Sequence, residues 1–265
     1  VTLLPSNNED KGKAFETEDD PNRQIEGIVS YAKDPAALLS LIADDNDFFE
    51  LKKDYAKHMV TGFITLNGQL VGAVANRSEV YEDGEKTESF DSALYANGAL
   101  KAADFVRFCD AFSIPILTIA NLKGFKASLC SEKRIVENMA GFIGAYAGAS
   151  VPKVSLVTEE AISSAAVFMG SKAIGADFLF AWEGTKIGPM DEEMAGKILG
   201  EGKSQEEAVS LAKEYKENVL DGTNAARRGY VDRLIAPEET RQQLCYAFEM
   251  LYSKVQSPSK KRGTK

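Results

Sequence analysis

The sequence predicts a layered α/β fold, on three observations. Between residues 99 and 182, short apolar runs alternate with segments whose apolar residues recur at helical spacing, and strand–helix alternation of this kind buries a sheet under helices. An Asn67-Gly68 pair separates two apolar runs just upstream, a strong hairpin signal because both central residues of such a turn need positive φ. The 265 residues, 44% hydrophobic and 27% charged, suit a globular domain with a sizeable core.

The elements are taken in chain order. Asn7 to Arg23 is polar, acidic and poor in apolar residues, and reads as a tether. Asp34 precedes Pro35 and the run Ala36–Ile42, which predicts a helix with Asp34 as its cap and Pro35 at the first position. Gly62–Leu66 and Gln69–Ala75 form the two arms of the hairpin, and Ser78 to Ser89 reads as a polar loop. Helices are predicted over Ala99–Phe112 and Ile135–Ala149, with buried strands at Pro115–Ala120 and Val151–Thr158. A short helix with small residues at its start is expected over Ala161–Met169, and a strand over Asp177–Trp182. Three amphipathic helices come next, around Asp191–Leu199, Glu206–Val219 and Thr240–Tyr252. Ser257 to Lys265 is a basic tail.

Composition narrows the function. A net charge of −9 and a pI near 4.9 argue against binding a nucleic-acid backbone, which calls for clustered positive charge. No apolar run reaches the roughly 18 residues that span a bilayer, and no signal-peptide pattern opens the chain; a cytoplasmic location is expected. Cys109, Cys130 and Cys245 are odd in number and far apart, which predicts inert thiols rather than a metal site or disulfide framework.

Familiar catalytic constellations are missing. His58 is the only histidine, so no two-histidine zinc motif exists and no metal is expected; the residue is expected to be structural or solvent-facing, on a surface segment. No serine sits in a G-x-S-x-G elbow, and no phosphate-binding P-loop occurs. Gly141, Gly144 and Gly148 recur within a helix, which predicts close helix packing rather than a dinucleotide fingerprint. If the chain is catalytic, it works through backbone dipoles and a reactive cofactor.

Six ordered motifs carry a resemblance that covers nearly the whole chain. Asp104 to Pro115 reads D-F-V-R-F-C-D-A-F-S-I-P. Upstream stand Asp47-Phe48-Phe49-Glu50 with Tyr55-Ala56-Lys57, and the glycine-bearing hairpin Gly62–Asn76. Downstream stand Val151-Pro152-Lys153-Val154, Asp177 with Ala181-Trp182, and Gly229-Tyr230-Val231-Asp232 with Thr240-Arg241. Together these resemble the C-terminal half of the carboxyltransferase (beta) subunit of biotin-dependent acyl-CoA carboxylases and decarboxylases of the propionyl-CoA and methylmalonyl-CoA type.

The resemblance implies a crotonase-like (ClpP/crotonase) ββα superhelix, and carboxyl transfer between carboxybiotin and a short-chain acyl-CoA. Carboxybiotin gives up CO2, backbone N–H groups stabilise the oxyanion left on the cofactor, and the cofactor takes the α-proton of the acyl-CoA. The implied cofactors are biotin on a carrier protein and a coenzyme A thioester as substrate. The implied partners are a biotin carboxyl carrier protein, a CoA-binding N-terminal half on another chain or removed, and further copies in a homo-oligomer. Residues 1–30 resemble the junction between the two halves, residues 31–256 the C-terminal carboxyltransferase domain, and residues 257–265 form the tail.

By the same resemblance, the family's oxyanion run Y-G-G-A-Y falls on Ile162-Ser163-Ser164-Ala165-Ala166. Ser164 and Ala165 would supply the backbone amides, with Gly124, Phe125 and Ser163 against biotin and Val167 in the acyl pocket. The chain departs from the pattern in three places. Ser163 and Ser164 replace glycines, whose lack of a side chain admits close ligand approach and unusual φ. Lys123-Gly124-Phe125-Lys126-Ala127-Ser128 replaces P-G-F-L-P-G, adding two lysines that either attract an anion or sit idly on a surface loop. Glu137-Asn138-Met139 stands in the region of R-H-G. Two other readings stay open: an assembly or docking subunit that keeps the fold without the chemistry, and a crotonase-type hydratase or isomerase using Glu159 or Glu160, which are expected to be exposed ahead of the helix.

Overall fold

The computed structural model describes residues 4–5, 15–82 and 84–254. The tail lies outside these residues, as do residues 7–14 of the expected tether. A 3-10 turn at Ile28–Tyr31 leads into α1 (Pro35–Ile42), then β1 (Phe48–Leu51), β2 (Met59–Leu66), β3 (Gln69–Asn76), β4 (Glu79–Glu82), β5 (Glu85–Ser89) and α2 (Ala96–Ala111). Next come β6 (Ile116–Leu122), α3 (Leu129–Glu132), α4 (Ile135–Gly148), β7 (Lys153–Ile162), α5 (Ala165–Phe168), β8 (Phe178–Trp182) and β9 (Lys186–Gly188). The chain closes with α6 (Glu192–Leu199), α7 (Gln205–Tyr215), α8 (Gly222–Arg227), β10 (Arg233–Ile235) and α9 (Thr240–Leu251).

One eight-stranded mixed sheet organises the chain. Its order is β1-β2-β3-β6-β7-β8-β10, with β9 continuing alongside the end of β7. The first three strands are antiparallel; β3, β6, β7, β8 and β10 run parallel. Successive strand residues point to opposite faces, and both faces are covered. Phe63, Val74, Ile116 and Val157 pack under α2 and α4, whereas Ile64, Val71, Leu117, Leu156 and Phe180 pack toward α1 and α9. Burial on both faces explains why β6 reads as an unbroken apolar run.

Local chemistry sets the boundaries. Asp34 caps α1 by accepting from the Ala36 amide, and its other oxygen accepts from Tyr81 N at 3.0 Å. That second bond explains why the expected Ser78–Ser89 loop is instead the small β4–β5 hairpin. Its side chains are polar because it stands apart from the main sheet, so apolar periodicity gave no signal. The Asn67-Gly68 turn forms as expected, with φ of 50° and 76°. Gly72 is required by packing: a Cβ there would stand 2.5 Å from Cys109 Sγ on α2. The expected close packing of the α4 glycines holds only at Gly141, which lies against Arg107 of α2 and accepts from its Nη2 at 3.3 Å, while Gly144 and Gly148 face open space. The amphipathic α2 otherwise meets the other side of α4, burying Phe142 and Tyr146.

His58 is structural but not on the surface. It is buried, with its ring stacked 3.8 Å from Tyr95 and edge-on to Phe90. Desolvation pushes its pKa down to about 4. Two lysines are also buried as staples: Lys101 Nζ donates to the carbonyls of Lys52, Tyr55 and Met59, and Lys153 Nζ to those of Tyr146 and Ala149 at the end of α4.

A fully buried ion pair joins the ends of the fold. Arg241 of α9 donates to Asp44 Oδ1 at 2.7 Å and to the Ile42 carbonyl at 2.7 Å. Asp44 in turn accepts from the amides of Asn67 and Gly68 at 2.9 and 2.8 Å. Arg241 also reaches the carbonyls of Asp19 and Asp20, so the end of the expected tether is docked.

The packing makes two expectations measurable. Arg241→Ala leaves Asp44 as an unpaired buried charge and lowers unfolding stability by about 3–5 kcal/mol, read from urea midpoints; Lys197→Ala, which removes the exposed pair with Glu193, costs less than about 1 kcal/mol. Because the folded pKa of His58 lies below the ordinary value, the unfolded chain takes up the proton first. Stability therefore falls as pH drops from about 6.5 toward 4, and His58→Phe, which keeps the stack without a titrating group, flattens that part of the pH–stability curve.

Candidate functional site

Two parallel strands end side by side and deliver the residues singled out in the sequence. β6 runs out at Leu122 into Lys123-Gly124-Phe125, and β7 runs out at Ile162 into Ser163 and α5. The two turns meet: a Cβ placed on Gly124 would stand 3.6 Å from Ser163 Oγ. Phe125 packs edge-on against Phe168 of α5, with ring centroids 5.5 Å apart. Crevices beyond the C-terminal ends of parallel strands are where open α/β sheets hold ligands.

The Gly124 loop is clamped by its neighbour. Leu94 N donates to Gly124 O, Lys126 N to Leu94 O, and Lys123 N to Ser92 O, at 2.7, 3.0 and 2.8 Å. Gly124 has φ +153°, outside the range that side-chain-bearing residues favour. Beneath the loop, Asn121 is buried and fully used. Its N–H donates to Asn76 Oδ1, its carbonyl accepts from Asn76 Nδ2 and Ser92 Oγ, and its Nδ2 donates to Glu159 Oε2 at 2.8 Å and to Ala32 O at 3.1 Å. Nothing in the motif pattern points to Asn121. The one available signal is a polar side chain closing an apolar strand.

The turn after β7 differs from the expected helix over Ala161–Met169. β7 continues to Ile162 because β9 pairs with its end and Ser163 N donates to Gly188 O at 2.9 Å. The helix then starts only at Ala165. Ser163 has φ +73°, in the left-handed region that costs a side-chain-bearing residue of order 1 kcal/mol or more. The conformation suited to glycine is thus kept although the glycine is gone. Ser163 Oγ accepts from Ala165 N at 3.1 Å. The two amides named from sequence are therefore unequal. Ala165 N–H is engaged by Ser163, while Ser164 is exposed and its N–H meets no acceptor among the described residues. Val167 stands exposed on α5.

Charge surrounds the turns without forming a metal centre: no cluster of ligating side chains occurs among the described residues. Lys123 pairs with Glu160 at 3.1 Å, Lys186 joins Glu160 at 3.5 Å and Glu192 at 2.8 Å, and Lys126 pairs with Asp91. The hydrogen bond from Lys186 holds the Glu192 carboxyl below its usual pKa, against a smaller opposing effect of burial. Both added lysines are thus engaged by carboxylates. Glu159 and Glu160 are half-buried members of β7, not exposed residues ahead of a helix. They line an open cleft of about 480 Å³ with Lys33, Lys123, Thr158 and Trp182. Cys109 and Cys245 are free and buried, with thiol pKa values raised by desolvation. No helix among the described residues is long and apolar enough to cross a membrane.

This arrangement is that of crotonase-fold carboxyltransferases. A transcarboxylase 12S structure with hydrolysed methylmalonyl-coenzyme A bound superposes with a TM-score of 0.89 at 32% identity, over 99% of this chain and 52% of that one. The beta subunit of geranyl-CoA carboxylase from P. aeruginosa shares the fold at 20% identity and a TM-score of 0.71. The carboxyl transferase domain model matches residues 1–264, and the chain belongs to that family. It is 35% identical to the propionyl-CoA carboxylase beta chain of Roseobacter denitrificans, over 98% of this chain and 52% of that one. It is 34% identical to the methylmalonyl-CoA decarboxylase subunit alpha of Propionigenium modestum, over 99% and 52%. The chain thus spans about half the length of the curated relatives it matches.

The Ser163–Ala165 contact predicts a local effect. Ser163→Ala removes the acceptor while keeping the backbone strain, so the Ala165 amide exchanges with solvent about tenfold faster, in line with the net worth of one hydrogen bond; residue-resolved hydrogen exchange reads it directly.

Proposed function

We propose that this chain supplies the biotin-side half of a carboxyltransferase active site, moving a carboxyl group between carboxybiotin and a short-chain acyl-CoA. One observation carries the reading. In a chain of this family, the Gly124-Phe125 turn and the Ser163-Ser164-Ala165 turn lie side by side at the ends of β6 and β7, so close that a Cβ added to Gly124 would stand 3.6 Å from Ser163 Oγ, and Phe125 packs on Phe168 of α5. Residues 31–256 form the working domain in this reading, residues 1–30 the junction to a CoA-binding half on another chain or removed, and residues 257–265 a basic tail. The partners are that half, a biotin carboxyl carrier protein and further copies of the chain.

Biotin, presented on its carrier, supplies the carboxyl group and the base that accepts the substrate α-proton. The residues present fit such a guest, because Gly124 puts no side chain between its turn and Ser163, where a Cβ would come within 3.6 Å of Ser163 Oγ, and Ser164 N–H is unpaired among the described residues. Ser164 N–H would donate to the ureido oxygen of a bound biotin. Ser163 stands against the ring, with its hydroxyl accepting from Ala165 N–H. Phe125, braced on Phe168, gives the ring an apolar wall, and Val167 lines the acyl side. These groups are fixed before reaction, which is what makes such donors effective.

The engagement of Ala165 N–H by Ser163 also favours a second reading, an assembly subunit that retains the fold without turnover. One experiment separates the two. Carboxyl exchange between methylmalonyl- or malonyl-CoA and biotin is measured on the chain assembled with the CoA-binding half. Exchange by the wild type is expected, and Ser163→Gly, which frees the second amide, raises kcat by about tenfold or more, given the usual 10²–10³ worth of one such donor. No exchange by either form with any short acyl-CoA overturns the catalytic reading.

A further inference from the structure

We infer that Asn121 and Glu159 are positioning residues: their side-chain bond holds the Gly124-Phe125 turn and the Ser163 turn at a working separation. The inference rests on the proposed carboxyl transfer and deepens it.

The β6–β7 ladder is regular from Ile116↔Lys153 to Ala120↔Val157, and resumes at Leu122↔Ala161. Two steps along β6 are thus matched by four along β7. Thr158, Glu159 and Glu160 form a bulge opposite Asn121, just where both strands are about to enter the site. A bulge removes ladder bonds and bends its strand. Beyond the bulge, β7 is flanked by the three-residue β9 on one side and by the single pair Leu122↔Ala161 on the other.

Side chains replace the missing ladder. Asn121 Nδ2 donates to Glu159 Oε2 at 2.8 Å, inside the bulge. The next residue, Glu160, takes Lys123 Nζ at 3.1 Å. Consecutive residues of β7 therefore hold residues 121 and 123 of the other strand, immediately before Gly124. The Asn121 bond is the stronger of the two: Asn121 is 4% exposed, and its main chain is already locked to Asn76 on the opposite side. Lys123 is half exposed, where ion pairs contribute little. Three residues are thereby joined in series by two links, from Asn76 on β3 through Asn121 on β6 to Glu159 on β7, four residues ahead of Ser163. Glu159 itself is not near enough in sequence or in its contacts to act on a ligand at Ser163; it acts through the strand.

The test uses the chain assembled with its CoA-binding half and two readouts. Glu159→Ala removes the acceptor. It is expected to lower kcat for carboxyl exchange by at least about tenfold, the scale of a small misplacement of donors, with KM for the acyl-CoA unchanged within about twofold. Hydrogen exchange in the 162–168 segment, which Glu159 does not touch, is expected to rise together with that in the 121–126 segment. Glu159→Gln keeps an acceptor for Asn121 Nδ2 and is expected to restore both readouts. Asn121→Asp, which places a carboxylate against Glu159, is expected to behave like Glu159→Ala. Wild-type exchange rates in the 162–168 segment of Glu159→Ala overturn the inference, as does a Glu159→Gln variant no better than Glu159→Ala. If the wild type shows no carboxyl exchange at all, the proposed function fails, and the hydrogen-exchange comparison alone decides whether the tie exists.

Discussion

The fold depends on one buried ion pair. Arg241 and Asp44 lie 197 positions apart in sequence, and each has further obligations. Asp44 holds the amides of the Asn67-Gly68 turn, and Arg241 holds the end of α1 and the chain that precedes it. A charge taken out of water must find its partner and fill its remaining hydrogen-bonding positions. Here both charges do so, and in doing so they fasten the last helix to the first hairpin. That hairpin is the foundation of the parallel half of the sheet, since β3 is the strand on which it begins.

From there the order of strands carries position toward the site. β3 sets β6, and β6 sets β7, each through buried parallel pairing. The same strands end in polar side chains, Asn76, Asn121 and Glu159, at the height where the backbone ladder gives out. Buried amides and carboxylates at such a place have to be satisfied, and satisfying one another is how they hold the two terminal turns. The chemistry proposed for these turns needs no titrating side chain, which agrees with a chain whose one histidine is buried against Tyr95 and resists protonation.

Ser163 shows how a departure from a family pattern is absorbed. The replaced glycine leaves behind a backbone that still passes through φ +73°. The new hydroxyl turns onto the amide of Ala165, which offsets part of the conformational cost. The backbone path of the turn is therefore kept. What changes is that Ala165 N–H is taken up by the new hydroxyl.

Much of this molecule was determined by its sequence alone. The Asn-Gly hairpin, the Asp34-Pro35 helix start and the apolar strands β6, β7 and β8 come from local turn chemistry, capping and periodicity, and the ordered motifs identify the family. Gly124 and Ser163 were named for one site from motif resemblance, and tertiary structure brings them together. What the sequence did not decide are the contacts whose partners lie far apart or whose pattern has no period. The β4–β5 hairpin buries a single apolar side chain, Val80, among polar ones, Gly144 and Gly148 of α4 face outward where packing was expected, and β7 overran its predicted end because β9 pairs with it. The Asn121–Glu159 tie depends on a bulge, and a bulge is a mismatch between two strands that neither strand carries in its own residues. Tertiary structure decides it because only there are the two registers laid side by side.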